Sequence, residues 1–296
     1  ALPIWTGKIS FRPLAYGEKL ALPCGKCIGC KLEHSRQVAL RCTHEAKLHE
    51  ENTWVTLTYA DEHLPYGETL VKDHYQNFIK RLRKRIEPIK IRHYGCGEYG
   101  ENKGRPHYHI CIFGYDFGDK YFWRVADSGE HLYRSDQLES LWTFGNSEIG
   151  ELTFETAAYT ARYCTKKITG EKAFMHYTRI LLDGRMIEIE PEFALMSLGK
   201  KKHGTRGLGY GHYELYKNEI FPSDECIVRG NISKPPRYYF KLLEEQDPKL
   251  YEQVKKSRHD FIQSHKEEQT LSRRTQREKV KLAQMKQLQR PLEETQ

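Results

Sequence analysis

Among the apolar and polar positions along the chain, TWVTLTY, residues 53–59, is dense in β-branched and aromatic residues, which predicts a strand. HYHICIF, residues 107–113, predicts a second strand, and Ile89 to Gly97 a third. The turn-forming EYGENKGRP, Glu98 to Pro106, links these last two as an antiparallel hairpin. Between them Tyr75, Phe78, Ile79, Leu82 and Ile86 recur at three- and four-residue steps, which predicts a helix from His74 to Ile86, capped by Asp73 and stopped before Pro88. Lys80, Arg81, Arg83, Lys84 and Arg85 load its other side, as a solvated face or a DNA contact.

Weaker patterns fill in the rest. The first two dozen residues, punctuated by Pro3, Pro13 and Pro23, read as an irregular lead-in, and Lys31 to Glu50 as a helix. After a glycine-bearing loop, Ser135 to Trp142 predicts a short helix, Glu148 to Phe154 a strand, and ETAAYTARYCTKKI, Glu155 to Ile168, a helix closed by Gly170. The order β-α-β-β-α-β-α implies an α+β fold: an antiparallel sheet backed by helices. The organisation expected is a cysteine-containing lead-in and helix over 1–50, a core over 51–172, a loop-rich extension over 173–236 and a charged helical tail over 237–296. The KKKHGTRGLGYG stretch, with Gly204, Gly207, Gly209 and Gly211, lacks the GK[ST] and the strand-to-helix frame of a phosphate loop and reads as a flexible basic loop.

Charge changes the picture at one end of the chain. The net charge is +8, and Lys255 to Arg290 carries eleven lysines and arginines against four acids, so nearly all the excess sits in the tail and favours a polyanionic partner. No apolar run approaches the roughly 20 residues of a membrane span, and no signal segment opens the chain, which points to an intracellular protein with no membrane partner. The chain opens on Ala1 rather than methionine, leaving room for a short preceding piece. Of eight cysteines, Cys42, Cys96, Cys111, Cys164 and Cys226 are scattered singly, as reduced thiols would be. Cys24, Cys27 and Cys30 instead form CGKCIGC, a spacing that suits a structural zinc completed by His34, Cys42 or His44, or an iron–sulfur cluster.

Candidate chemistry sits on two elements. A strand places His107 and His109 on one face, as a pre-aligned pair of metal ligands or as two unrelated surface histidines. A divalent metal there would be completed by Glu98, at the end of the neighbouring strand. In the later helix Tyr159 and Tyr163 lie one turn apart with Lys166 and Lys167 following, and are expected to point outward while Ala157, Ala161, Cys164 and Ile168 pack. Only about one phenol in a thousand is ionised at neutral pH. A metal that polarises a phosphate oxygen, with Lys166 or Lys167 adding positive charge, supplies what a tyrosine needs to attack phosphorus. Two imidazoles suit Mn²⁺ better than Mg²⁺, and either is the expected cofactor.

HxH on a strand, a preceding TLTY strand and a following YxxxYxxKK helix together resemble the HUH endonucleases of rolling-circle replication. LPCGKCIGC, CGEYGENKGRPHYH, YTARYCTKK and KPPRYY, spread from Pro23 to Tyr239, resemble more closely the replication initiation proteins of microviruses of the gokushovirus group. The resemblance implies that His107, His109 and Glu98 are metal ligands and that Tyr159 and Tyr163 are twin nucleophiles accompanied by Lys166 or Lys167. Tyr108 stands where that pattern usually has a hydrophobic residue and should face away from the metal. The resemblance further implies nicking and rejoining of single-stranded or melted origin DNA through a 5′-phosphotyrosine, alongside host polymerase and helicase, in the cytoplasm of a bacterial host. Three readings stand beside it: a zinc-stabilised DNA-binding protein without catalysis, a relaxase or transposase of the same superfamily, and a histidine-triad nucleotide hydrolase in which Cys111 replaces the third histidine.

Overall fold

The computed structural model describes residues 9–13, 19–25, 27–100, 104–163, 167–168, 170–181, 183–199, 206–228 and 230–287. In chain order the elements are β1 (Ile9–Pro13), β2 (Lys19–Pro23), α1 (Ile28–Ala46), β3 (Asn52–Thr58), α2 (Lys72–Arg85), β4 (Arg92–Tyr99), β5 (Pro106–Phe113), β6 (Tyr121–Val125), β7 (His131–Arg134), α3 (Asp136–Leu141) and β8 (Ser147–Gly150). There follow α4 (Phe154–Tyr163), α5 (Glu171–Tyr177), β9 (Thr178–Ile180), β10 (Met186–Glu188), β11 (Phe193–Met196), α6 (Tyr210–Ile220), β12 (Cys226–Val228), β13 (Asn231–Ser233), α7 (Arg237–Gln246), α8 (Pro248–Ser264) and α9 (Leu271–Gln287). They form two compact units, one drawn from residues 1–40 and 212–289 and the other from 41–211. Among the described residues no helix is long and apolar enough to cross a membrane.

The unit of residues 41–211 is α+β, built on an antiparallel sheet of seven strands in the order β11-β4-β5-β3-β8-β7-β6. Alternation along β3 and β5 sends Val55, Leu57, Tyr108, Ile110 and Ile112 to one face, where they share a core with Tyr75, Phe78, Ile79 and Leu82 of α2. Burying each such side chain contributes roughly 1.5–3 kcal/mol. The predicted apolar stripe of α2 is therefore its buried one, and Lys80, Arg83, Lys84 and Arg85 are exposed. The opposite face carries Trp54, Thr56, His107, His109 and Cys111, and α4 lies against it through a hydrogen bond from Trp54 Nε1 to Thr160 Oγ1 (3.0 Å).

Several elements depart from the sequence-based expectation. The lead-in contains the antiparallel pair β1–β2. Asp73 does not cap α2: the helix starts at Lys72 with Val71 in the cap position, and the Val71 N–H is taken by the Tyr108 hydroxyl (3.1 Å). The strand predicted over 148–154 stops at Gly150, because Thr153 and Thr156 cap each other's backbone N–H groups and start α4. The loop expected before α3 contains the hairpin β6–β7, closed by Gly129 in the left-handed region (φ 85°). The stretch predicted as loop-rich contains β11, which pairs with β4 from Phe193↔Gly97 to Met196↔Tyr94 and so forms one edge of the sheet.

In the other unit the hairpin β12–β13 is tied to α1 by Arg36, which donates to Ser233 Oγ (2.6 Å) and to the Lys234 carbonyl (2.9 Å). Buried Asp224 is gripped by both arms of the Arg258 guanidinium from α8, at 2.8 and 2.5 Å. The helical tail predicted beyond Pro236 is α7, α8 and α9, described as far as Gln287.

Candidate active site

β4 and β5 pair in a register that sets Glu98 directly opposite His107 and Cys96 opposite His109. The two histidines share the face turned toward α4. Nε2 of His107 and Nε2 of His109 each lie 3.0 Å from the same Glu98 oxygen, Oε1. Glu98 and His109 are each only 1% exposed, whereas His107 opens toward the surface. The outer nitrogens are engaged elsewhere. His107 Nδ1 meets the Arg105 carbonyl at 3.1 Å, and His109 Nδ1 meets Thr56 Oγ1 at 3.1 Å.

That arrangement determines what the focus of the site can hold. A carbonyl only accepts, so His107 Nδ1 carries the hydrogen and, in the neutral ring, Nε2 presents its lone pair to the Glu98 carboxylate. Two acceptors 3.0 Å apart need a cation between them, either a proton or a metal. Burial alone would raise Glu98, but the charge and hydrogen bonds of His107 and His109 outweigh it and hold the carboxyl below its ordinary value. Two imidazole nitrogens and one carboxylate within 4.8 Å of one another, each ring oriented by an outer partner, fit a divalent cation of the Mn²⁺ or Mg²⁺ type.

Helix α4 brings the first candidate nucleophile to this face. The Tyr159 ring meets His109 edge-on at 5.2 Å between centroids and Trp54 at 6.2 Å, while Trp54 stacks on His109 at 5.0 Å. Tyr159 is therefore buried, 3% exposed, and does not point outward as the helical wheel suggested. Ala157 and Ala161 are also buried, so α4 is covered on two sides and exposes Glu155. For Tyr163 the structure describes the backbone, at the last residue of α4. Lys166 and Cys164 lie outside the described residues, and Lys167 is exposed.

Tyr108 faces away from the histidines. Its hydroxyl donates to the Val71 carbonyl (2.9 Å), accepts the Val71 N–H and shares a hydrogen bond with Tyr59 (2.7 Å), which ties the start of α2 to the sheet. Its phenol thus has a structural use on the far face. The supporting residues Thr56, Trp54 and Thr160 were not singled out from sequence. Period-two parity in β3 could have found Trp54 and Thr56 once β3 was known to pair with β5.

The other predicted ligand set also assembles. Sγ atoms of Cys24, Cys27 and Cys30 lie within 4.8 Å of one another, and among the described residues neither His34, Cys42 nor His44 belongs to the group. Cys42 instead lies beside Cys111. None of the described cysteines is in a disulfide.

The model of a family described as replication-associated protein ORF2 matches residues 52–168, the stretch that carries Glu98, both histidines and both tyrosines. The chain is 33% identical over 252 residues to replication-associated protein ORF2 of Spiroplasma virus 4, covering 80% of this chain and 73% of that one. It is 30% identical over 261 residues to replication-associated protein VP4 of Bdellovibrio phage phiMH2K, covering 83% and 76%. Against replication-associated protein ORF4 of Chlamydia phage 1 the identity is 32% over 236 residues, covering 75% and 53%. No solved structure matches the chain significantly.

Proposed function

The chain belongs to the family of phage replication-associated proteins, and from that membership we propose that it starts and ends rolling-circle replication by cutting and rejoining one DNA strand. The observation that carries this reading is the packing of the Tyr159 ring on His109, on the sheet face where Glu98 and His107 converge.

The oxygen of Tyr159, or of Tyr163 one turn later, forms a bond to phosphorus as the bond to the 3′-oxygen breaks. The phenol gives up its proton and the departing 3′-oxygen gains one. The products are a 5′-phosphotyrosine and a free 3′-hydroxyl from which a polymerase can extend. The second tyrosine then cuts the regenerated origin, and the new 3′-hydroxyl attacks the first linkage to release a circle. Bond energy is conserved at each exchange, so no nucleotide cofactor is needed. Glu98, His107 and His109 would hold the divalent cation, whose contribution when bound is to draw charge from a non-bridging phosphate oxygen. Lys166 or Lys167 adds positive charge to the same phosphate. Because Tyr159 is covered in the DNA-free chain, use of its oxygen requires the bound strand to uncover it.

The test is incubation with labelled single-stranded oligonucleotides tiled across the encoding genome, with Mn²⁺, followed by denaturing electrophoresis. An adduct that survives SDS is expected with the unaltered chain, and none with Tyr159→Phe/Tyr163→Phe or with His107→Ala/His109→Ala. An adduct from the double-phenylalanine variant would overturn the nucleophile assignment. Salt-sensitive binding without any adduct would leave a DNA-binding protein that does not cut.

A further inference from the structure

The proposed strand transfer makes no use of the CGKCIGC turn. Its geometry is nonetheless specific. Gly25 adopts φ 73°, a left-handed conformation that glycine takes without strain, and the chain reverses there so that the Cys27 N–H donates to Cys24 Sγ at 3.2 Å. Cys27 then opens α1: its carbonyl accepts the Lys31 N–H at 3.0 Å, and Cys30 falls in the first helical turn. Spacings of three residues before and after this corner bring all three sulfurs within 4.8 Å.

A tetrahedral ion with bonds of about 2.3 Å separates its sulfur ligands by about 3.8 Å, a distance this turn reaches with small side-chain adjustments. An iron–sulfur cubane binds each thiolate to a different iron and needs them further apart. The amino-terminal end of a 19-residue helix favours negative charge, and so does a backbone N–H directed at sulfur.

We propose that Cys24, Cys27 and Cys30 hold one zinc ion through three thiolates, fastening the end of β2 to the start of α1 independently of the Glu98, His107 and His109 site. The two sites are chemically distinct. Three sulfurs select a soft, thiophilic ion, whereas two imidazoles and a carboxylate suit a harder one.

The experiment is elemental analysis of the full-length chain purified from medium supplemented with zinc and iron. About one zinc per chain is expected in the unaltered protein and in His107→Ala/His109→Ala, and close to none in Cys24→Ser/Cys27→Ser. Should the cysteine variant fail to fold, Co²⁺ exchanged into the unaltered chain decides: sulfur-to-cobalt charge-transfer absorption with tetrahedral visible bands is expected. Iron with acid-labile sulfide, a disulfide among the three cysteines, zinc lost with the histidine substitutions, or a cobalt spectrum without sulfur bands would each overturn the assignment.

Discussion

Thr56 is a test of how the candidate metal ligands are held. Its hydroxyl engages His109 Nδ1, so Thr56→Val removes the outer partner while keeping the shape of the side chain. Mn²⁺ affinity measured by calorimetry should fall about 10–100-fold, with the melting temperature little changed; an unchanged affinity would count against a metal at His109. Tyr108→Phe should do the reverse. Loss of the hydroxyl that joins β5 to Val71 should destabilise the chain by about 1–3 kcal/mol in urea denaturation, with Mn²⁺ affinity preserved because Tyr108 lies on the other face. His93, buried beside the Tyr75 hydroxyl, makes stability depend on pH. Burial, and then the charge of Arg83, drive it down to about 4 from an ordinary 6.5. The unfolded chain thus binds a proton that the native ring refuses, so stability is full above about pH 6.5 and declines toward pH 4 by up to about 3 kcal/mol. Urea midpoints for His93→Gln should fall less steeply across that window than those of the unaltered chain; parallel slopes would refute the assignment.

At the scale of elements, α4 is the piece whose seating matters most. Ala157 and Ala161 are completely buried, and Ala161→Leu should overpack the helix by about 1–3 kcal/mol. If the Tyr159–His109 contact matters for strand transfer, adduct formation should fall by more than the loss of folded protein measured by circular dichroism. The same helix shows where sequence reading reached its limit. The spacing of Tyr159 and Tyr163 was legible, as was the HxH pair, because both are local periodicities. Which side of α4 meets the sheet was not: one side is small and apolar, the other aromatic, and both are buried. α2 was legible because it has one wet face and one dry face, and β3, β4 and β5, although buried on both faces, because each is a short run rich in aromatic and β-branched residues bounded by turn formers. β6 was missed because Tyr121, Phe122, Trp123 and Val125 are all exposed, which erases alternation. β11 was missed because its partner β4 lies about a hundred residues earlier, beyond the reach of any local pattern.

Over the whole chain the charge is concentrated rather than spread, and α9 carries exposed Arg273 and Lys279 with half-buried Lys281. If this tail contacts DNA phosphates, Arg273→Gln/Lys279→Gln/Lys281→Gln should weaken single-strand binding and lower the slope of log K against log salt by about 2. An unchanged slope would mean that the tail does not touch the nucleic acid. Three short elements missed from sequence, β6, β7 and β11, complete the sheet, so the architecture of the larger unit depends on pairings that composition does not announce.

The place of β11 bears on how the chain must be made. During synthesis, the outer backbone edge of the strand bearing Glu98 acquires its partner only once the ribosome has passed Met196. The stretch 52–168, although it holds the proposed ligands and nucleophiles, ends before that point. Expressed alone it would present an unpaired edge of eight residues, open to pairing with other copies, so the smallest self-sufficient piece of this unit extends at least to residue 196.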